Sequence, residues 1–161
     1  MTSEHTMCDS TLVLIKPDAV RRGLVGTIIA RLETKGLLIR GVRSLTFTEE
    51  LCQAHYAHLV GRSFFPELVT FMTSGMTVAL WVSGVDVVDV VRLMCGETNA
   101  RAAAPGTIRG DLATSAQRNL VHASDSADSA AVELGRFFPD GPSVPEDVAA
   151  IRVVYSTAEA A

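Results

Sequence analysis

The apolar positions of the chain fall into short runs and helical stripes separated by turn residues. Leu12, Val13, Leu14 and Ile15 are consecutive, and Pro17 stops the run one residue after Lys16. An uninterrupted apolar run of this length, closed by a breaker, predicts a buried strand over 11–16. Val25, Ile28, Ile29 and Leu32 lie at i, i+3, i+4 and i+7. They form one stripe of a helix over 25–35, and Gly36 stops it. Leu37, Ile39, Val42 and Leu45 alternate loosely with polar residues and predict a second strand over 37–46. Thr48 caps a helix over 48–60, with Glu49 and Glu50 favourable in its first turn. Pro66 opens a short helix running to Met72. A third strand is predicted over 77–82 and a further helix over 85–94, with Val87, Val88, Val91 and Met94 facing inward.

The stretch 97–118 is irregular and rich in Gly, Pro and Ala. A loop of that length inside a compact domain is usually functional or mobile. A short strand over 119–122 precedes a helix to 138 that Ser124 or Asp125 caps. Pro142 and Pro145 mark a loop-like tail until the apolar segment at Ile151–Tyr155. Two strand–helix–strand units around one antiparallel sheet amount to a ferredoxin-like α+β sandwich. The expected partition is a polar, flexible N-terminus over 1–10, a single domain over 11–156 and a tail over 157–161.

Composition narrows the class. The chain has 161 residues, 48% of them apolar and 20% charged. That excludes disorder as the main state, which needs low hydrophobicity and high net charge. The net charge of −4 argues against an extended basic surface for nucleic acid. Cys8, Cys52 and Cys95 are too few and too scattered for a disulfide framework and imply reduced thiols. No basic residue precedes Lys16, so no signal peptide is expected. The longest apolar run, over 78–82, is far too short to span a bilayer. A cytoplasmic protein is the expectation.

His122 ends the short fourth strand, just ahead of a helix N-terminus. A lone histidine is commonly structural, but a strand end beside a helix start lifts side chains out of a scaffold and favours an anion nearby. Imidazole is a competent nucleophile toward phosphorus, provided one nitrogen is neutral and the other is held. Glu133, two turns into the next helix, has the position to hold it. Phosphoryl transfer also needs cations. Lys16, Arg62, Arg92 and Arg109 sit at strand ends and in loops, although any one arginine alone reads as a solvated surface residue. Cys52, His55 and His58 spread around a helix and lack a partner pair at zinc-ligand spacing, so no metal site is expected from them. Gly23 and Gly26 lack the Gly-Lys-Ser/Thr ending of a Walker-type phosphate loop.

The runs Thr11-Leu-Val-Leu-Ile-Lys-Pro-Asp18 and Arg22-Gly-Leu-Val-Gly26 resemble the opening of nucleoside diphosphate kinases. So do His55-Tyr56, Phe64-Phe65, Ser74-Gly75, Gly96-Glu-Thr-Asn99, Pro105-Gly-Thr-Ile-Arg-Gly-Asp111 and Arg118-Asn119. The segment 119–126 is similar to the family's active-site signature, and the register holds from Thr11 to Tyr155. The resemblance implies ping-pong transfer of the γ-phosphate of ATP, through a phosphohistidine, to another nucleoside diphosphate. His122 is then the nucleophile, oriented by Glu133 and Ser124. Lys16 meets the transferring phosphate and the sugar hydroxyls, with Tyr56 beside that phosphate. Arg92, Thr98 and Arg109 clamp the remaining phosphates, with Arg62 as a helper. Asn119 bonds the sugar, and Phe64 stacks on the base. Magnesium is implied as the cofactor, held mainly by the nucleotide phosphates, with no protein metal site. A homo-oligomer is implied, a hexamer on the strength of the segment at Ile151–Tyr155, with a tetramer as the alternative. Neither a membrane nor a specific nucleic acid is an implied partner.

Five positions depart from the family pattern: Ala19, Ser63, Met76, Ala100 and Ala123. Ala123 stands where glycine is usual after the nucleophile, which one methyl permits if the backbone there has an ordinary φ. Two competing readings are a non-catalytic nucleotide-binding relative and a small binding module. The first requires loss of the histidine or its cations, and the second leaves Lys16, Asn119 and His122 as coincidences.

Overall fold

The computed structural model describes residues 8–156 together with 158 and 159. The first strand, β1 (Asp9–Ile15), lies inside a four-stranded antiparallel sheet of order β2-β3-β1-β4. Its partners are β3 (Met76–Gly84) on one side and β4 (Val121–Ala123) on the other, while β2 (Leu38–Thr46) pairs with β3 and forms an edge. This is the ferredoxin-like sandwich that the apolar pattern predicts.

The continuous apolar run of β1 is explained by what covers it. Leu12 and Leu14 face α3 (Glu49–His55), α4 (Phe65–Met72) and α7 (Ala127–Phe137), packing with Cys52, Phe71, Met72 and Phe137. Val13 and Ile15 face the opposite layer, α2 (Val25–Thr34) and α5 (Val87–Cys95), with Ile28, Leu32, Val87 and Val91. All four β1 residues are fully buried, as a central strand with helices on both faces requires. The register sets Leu14 opposite Ala79 on one side and His122 on the other, so the core strand fixes where His122 emerges. The β2–β3 ladder is interrupted between Ile39 and Gly41. A Cβ on Gly41 would stand 2.9 Å from the Phe138 ring and 3.2 Å from Trp81 Cβ.

The structure differs from the sequence pattern at several boundaries. The region over 1–10 was expected to be loose, yet β1 begins at Asp9 and Cys8 is buried, its N–H donating to Glu146 Oε1 at 3.1 Å. Residues 1–7 and most of the expected tail (157, 160 and 161) lie outside the described residues. Pro17 opens a five-residue helix, α1 (Pro17–Arg21), where the pattern shows only a stop. The helix expected over 48–60 ends at His55. The buried face runs out at Tyr56, and Gly61 turns the chain with φ 88° after a 3-10 turn at Ala57–Leu59. The long loop carries a short helix, α6 (Ile108–Leu112), capped by Thr107. Ser126, rather than Ser124 or Asp125, caps α7 by accepting from Ser129 N–H. The apolar C-terminal segment is helix α8 (Val148–Val154), whose Ile151 is fully buried.

Candidate active site

His122 lies in β4, and α7 rises directly behind it. Its Nε2 is 3.1 and 3.2 Å from the two carboxylate oxygens of Glu133, and Ser124 Oγ–H donates to the same carboxylate at 2.6 Å. A carboxylate only accepts, so Nε2 carries the proton and Nδ1 keeps its lone pair. Burial alone would raise the Glu133 pKa. The hydrogen bond and charge of His122 and the Ser124 hydroxyl outweigh it and hold the group below the usual carboxylate range. Ser124 is fully buried, locked onto Glu133 rather than exposed to substrate.

The approach to β4 is strained. Leu120 has φ 73°, in the left-handed region that non-glycine residues rarely occupy. It is held from both sides. Its N–H donates to Asp18 Oδ2 at 3.1 Å, and its carbonyl accepts from the Lys16 backbone N–H at 2.8 Å. The junction of β1 and α1 therefore sets the backbone two residues before His122, a placement of strain common at reaction centres. Ala123, by contrast, has an ordinary strand backbone, so its methyl replaces glycine without conformational cost.

Lys16 is buried, and Nζ donates to Asn119 Oδ1 at 2.6 Å and to the Gln117 carbonyl at 2.9 Å. Desolvation of the ammonium brings its pKa down to about 8, with Asp18 opposing the shift and Arg109 adding to it. Asn119 Nδ2 in turn donates to the carbonyls of Thr98 and Ala116 at 2.8 and 2.9 Å. Arg109 ties α6 to the strand end through three carbonyls, Asn119 (3.2 Å), Gly96 (2.8 Å) and Val121 (2.7 Å). These bonds use three of its five N–H groups. The adjacent Gly110 permits this packing, since a Cβ there would lie 2.0 Å from the Ala104 carbonyl oxygen.

These groups open onto a cleft of about 1410 Å³. Lys16, Tyr56, Phe64, Arg92, Thr98, Arg109, Asn119, His122 and Glu133 all line it. Phe64 is 40% exposed, an aromatic face presented to water at the cleft mouth. Tyr56 is buried, and burial pushes its hydroxyl pKa up. Arg62, the expected helper of the clamp, is exposed on the turn before α4 and is not in the cleft wall.

Two cleft residues were not singled out for this role from the sequence. His55, considered there as a metal ligand and quoted in the His55-Tyr56 pair of the resemblance, is 6% exposed, and its ring stands 4.7 Å from that of His122 at 78°. Arg136, three residues beyond Glu133 on α7, places Nη1 3.4 Å from His55 Nδ1. The i, i+3 spacing of Glu133 and Arg136 was the available signal. His55, His122 and Glu133 bring three donor atoms within 4.8 Å of one another. Two imidazoles and a carboxylate suit zinc or copper, whereas magnesium takes oxygen ligands. The Arg136 cation and the Ser124 hydroxyl bond occupy two of these three residues, so the cluster does not fit a magnesium site.

A family model described as nucleoside diphosphate kinase matches residues 9–142. The nucleoside diphosphate kinase of Exiguobacterium sibiricum is 53% identical over 134 residues, which is 83% of this chain and 97% of that one. The Rubrobacter xylanophilus enzyme of the same name is 54% identical over 130 residues, 81% of this chain and 98% of that one. Among solved structures, a halophilic nucleoside diphosphate kinase from Halobacterium salinarum in complex with CDP superposes with a TM-score of 0.88 at 43% identity, covering 92% of this chain and 99% of that one. The match over residues 9–142 and relatives of this identity and coverage show that the chain belongs to the nucleoside diphosphate kinase family.

Proposed function

We propose that the chain carries out its family's transfer through a phosphohistidine on His122. The observation that supports this most is the Nε2–Glu133 contact, which leaves the Nδ1 lone pair for a cleft lined by Lys16, Arg92 and Arg109. In the first half-reaction Nδ1 forms a bond to the γ-phosphorus of ATP, and the bond from that phosphorus to the bridging oxygen breaks. ADP leaves with the bond's electron pair. In the second half-reaction a terminal oxygen of another diphosphate attacks the same phosphorus, and His122 regains its lone pair. Phosphoanhydride is broken and remade, so the exchange is close to thermoneutral.

Glu133 offsets the positive charge that the ring gains on phosphorylation. Lys16 meets the transferring phosphoryl group and the sugar hydroxyls, and Asn119 bonds the sugar. Arg92, Thr98 and Arg109 hold the outer phosphates, and Tyr56 closes the site beside them. Magnesium, bound to the phosphate oxygens when nucleotide is present, neutralises their charge and needs no protein ligand in this reading. Phe64 stacks on the base, and stacking without hydrogen bonds to the base edge tolerates every base. The CDP in the Halobacterium salinarum relative supports a diphosphate as the acceptor. We further propose a cytoplasmic homo-oligomer, a hexamer with the tetramer as alternative, and one catalytic domain over 11–156. None of the described helices is long and apolar enough to cross a membrane.

A coupled assay of transfer from ATP to a set of purine and pyrimidine diphosphates tests the reading. Similar kcat/KM values across bases support it. A strong preference for one base contradicts the role of Phe64, and no transfer to any contradicts the activity.

A further inference from the structure

The nucleophile has a second neighbour that the phosphohistidine scheme does not use. His55 closes α3 inside a ring of aromatic groups. Tyr56 stands 4.6 Å away at 70°, Phe137 at 5.2 Å and 87°, and Phe47 at 6.1 Å and 65°, with His122 completing the enclosure at 4.7 Å. Arg136 reaches in from α7 to His55 Nδ1. Guanidinium only donates, so Nδ1 accepts and the His55 proton sits on Nε2. Nε2 is buried and has no hydrogen-bond partner among the described residues.

We propose that His55, set by Arg136, is a positioning residue for the nucleophile: its edge pins the His122 ring plane so that Nε2 stays on Glu133 and Nδ1 stays turned to the cleft. Glu133 fixes one end of the imidazole but not its rotation about that contact. A crossed ring surface restrains it, and His55, at 4.7 Å, stands nearer than Tyr56, at 6.1 Å and 83°. Burial, then the neighbouring His122, Arg136 and His58, bring the His55 pKa down to about 3 against the pull of Glu133, so this wall is neutral whenever His122 works. A neutral wall does not oppose the positive charge that builds on His122. The inference rests on His122 being the phosphorylated residue.

The test is single-turnover phosphorylation of the full-length protein by ATP, with phosphorus NMR of the denatured phosphoprotein to separate the Nδ1 and Nε2 isomers. Wild-type protein is the control. If it gives no phosphohistidine, the reading of the reaction itself fails and the role of His55 falls with it. If it is phosphorylated on Nδ1, His55→Ala is expected to slow phosphoryl transfer by at least ~10-fold, since small misplacements of a reacting group cost up to ~100-fold. Nucleotide affinity stays unchanged, and some product appears as the Nε2 isomer. His55→Phe restores the crossed ring surface and is expected to recover most of the rate and the pure Nδ1 isomer. Arg136→Gln, which frees the ring of His55 without emptying its space, is expected to give an intermediate rate. Wild-type rate and isomer in His55→Ala overturn the proposal. So does a rate loss in His55→Ala matched by an equal loss in a folded, thermally stable His55→Phe, because packing alone then has no part in it.

Discussion

Replacing Glu133 by Gln isolates what its charge does for the nucleophile. The side chain is only 13% exposed and touches His122 and Ser124. In the ground state the exchange replaces a hydrogen bond to a charged acceptor, worth about 1.5–3 kcal/mol, by a neutral one of about 0.5–1.5 kcal/mol. In the transition state the ring takes on part of a positive charge. Two full charges ~4 Å apart at an effective dielectric of ~20 interact by about 4 kcal/mol, and a half-developed charge by about 2. The ground-state change is carried into the transition state and cancels, so the barrier rises by about 2 kcal/mol, or roughly 30-fold in rate at about 1.4 kcal/mol per decade. Rapid-quench measurement of phosphoenzyme formation from ATP reads that loss directly, with nucleotide affinity expected to stay within about twofold because the contact is made behind the ring. A loss under about threefold, in a variant that unfolds at the wild-type temperature, refutes the claim that Glu133 stabilises charge on His122. A large loss confined to KM does the same.

Lys16 gives a pH prediction. Burial lowers its pKa to about 8 from 10.5, so the charged form is lost as pH rises through 8. kcat/KM, which reports the free enzyme, is expected to fall on an alkaline limb near pH 8, and kcat to hold to higher pH because bound phosphates favour the ammonium. The same shift means that burying the ammonium costs stability at neutral pH, a cost relieved between 8 and 10.5. Phe64→Ala is expected to raise KM for every base alike, by roughly 5- to 150-fold for about 1–3 kcal/mol of stacking, with kcat little changed. A rise for purines alone counts against sequence-independent stacking. Gly110→Ala forces a Cβ onto the Ala104 carbonyl and is expected to lower the melting temperature by several degrees, with activity falling as α6 and Arg109 shift. Unchanged calorimetry and kinetics would show that the loop yields freely.

Much of the scaffold was legible because the core strand writes its surroundings into its residues. Four apolar residues in succession, stopped by a proline, read as a buried strand, and β1 is buried because helices cover both of its faces. The stripe Val25, Ile28, Ile29, Leu32 likewise marks its inner side. What periodicity missed is short or set by tertiary contact. Helix α1 has five residues, too few to show a period, and α8 forms where Ile151 meets Cys8, more than 140 positions away in the chain. The cleft cations and His122 were legible through motif resemblance, and the structure brings Lys16, Arg92 and Arg109 together from separate elements. Arg62, which is exposed and outside the cleft wall, was not separable from them, because sequence gives an arginine's presence and not its placement. The strained Leu120 and the His55–Arg136 contact leave no local signature, since both arise from the junction of distant segments. The net charge of −4 is no obstacle to polyanion chemistry once the cations converge on one cleft.

The central claim is that His122 carries the phosphoryl group between two nucleotides. Its most direct test is to mix the protein with ATP labelled in the γ-phosphate, isolate the phosphoprotein and map the label. The account predicts an acid-labile, base-stable label on the peptide containing His122, discharged in full by a second nucleoside diphosphate. It also predicts that the label is absent from a folded His122→Ala variant. Label on another residue, or phosphate transfer at full rate by His122→Ala, would contradict it.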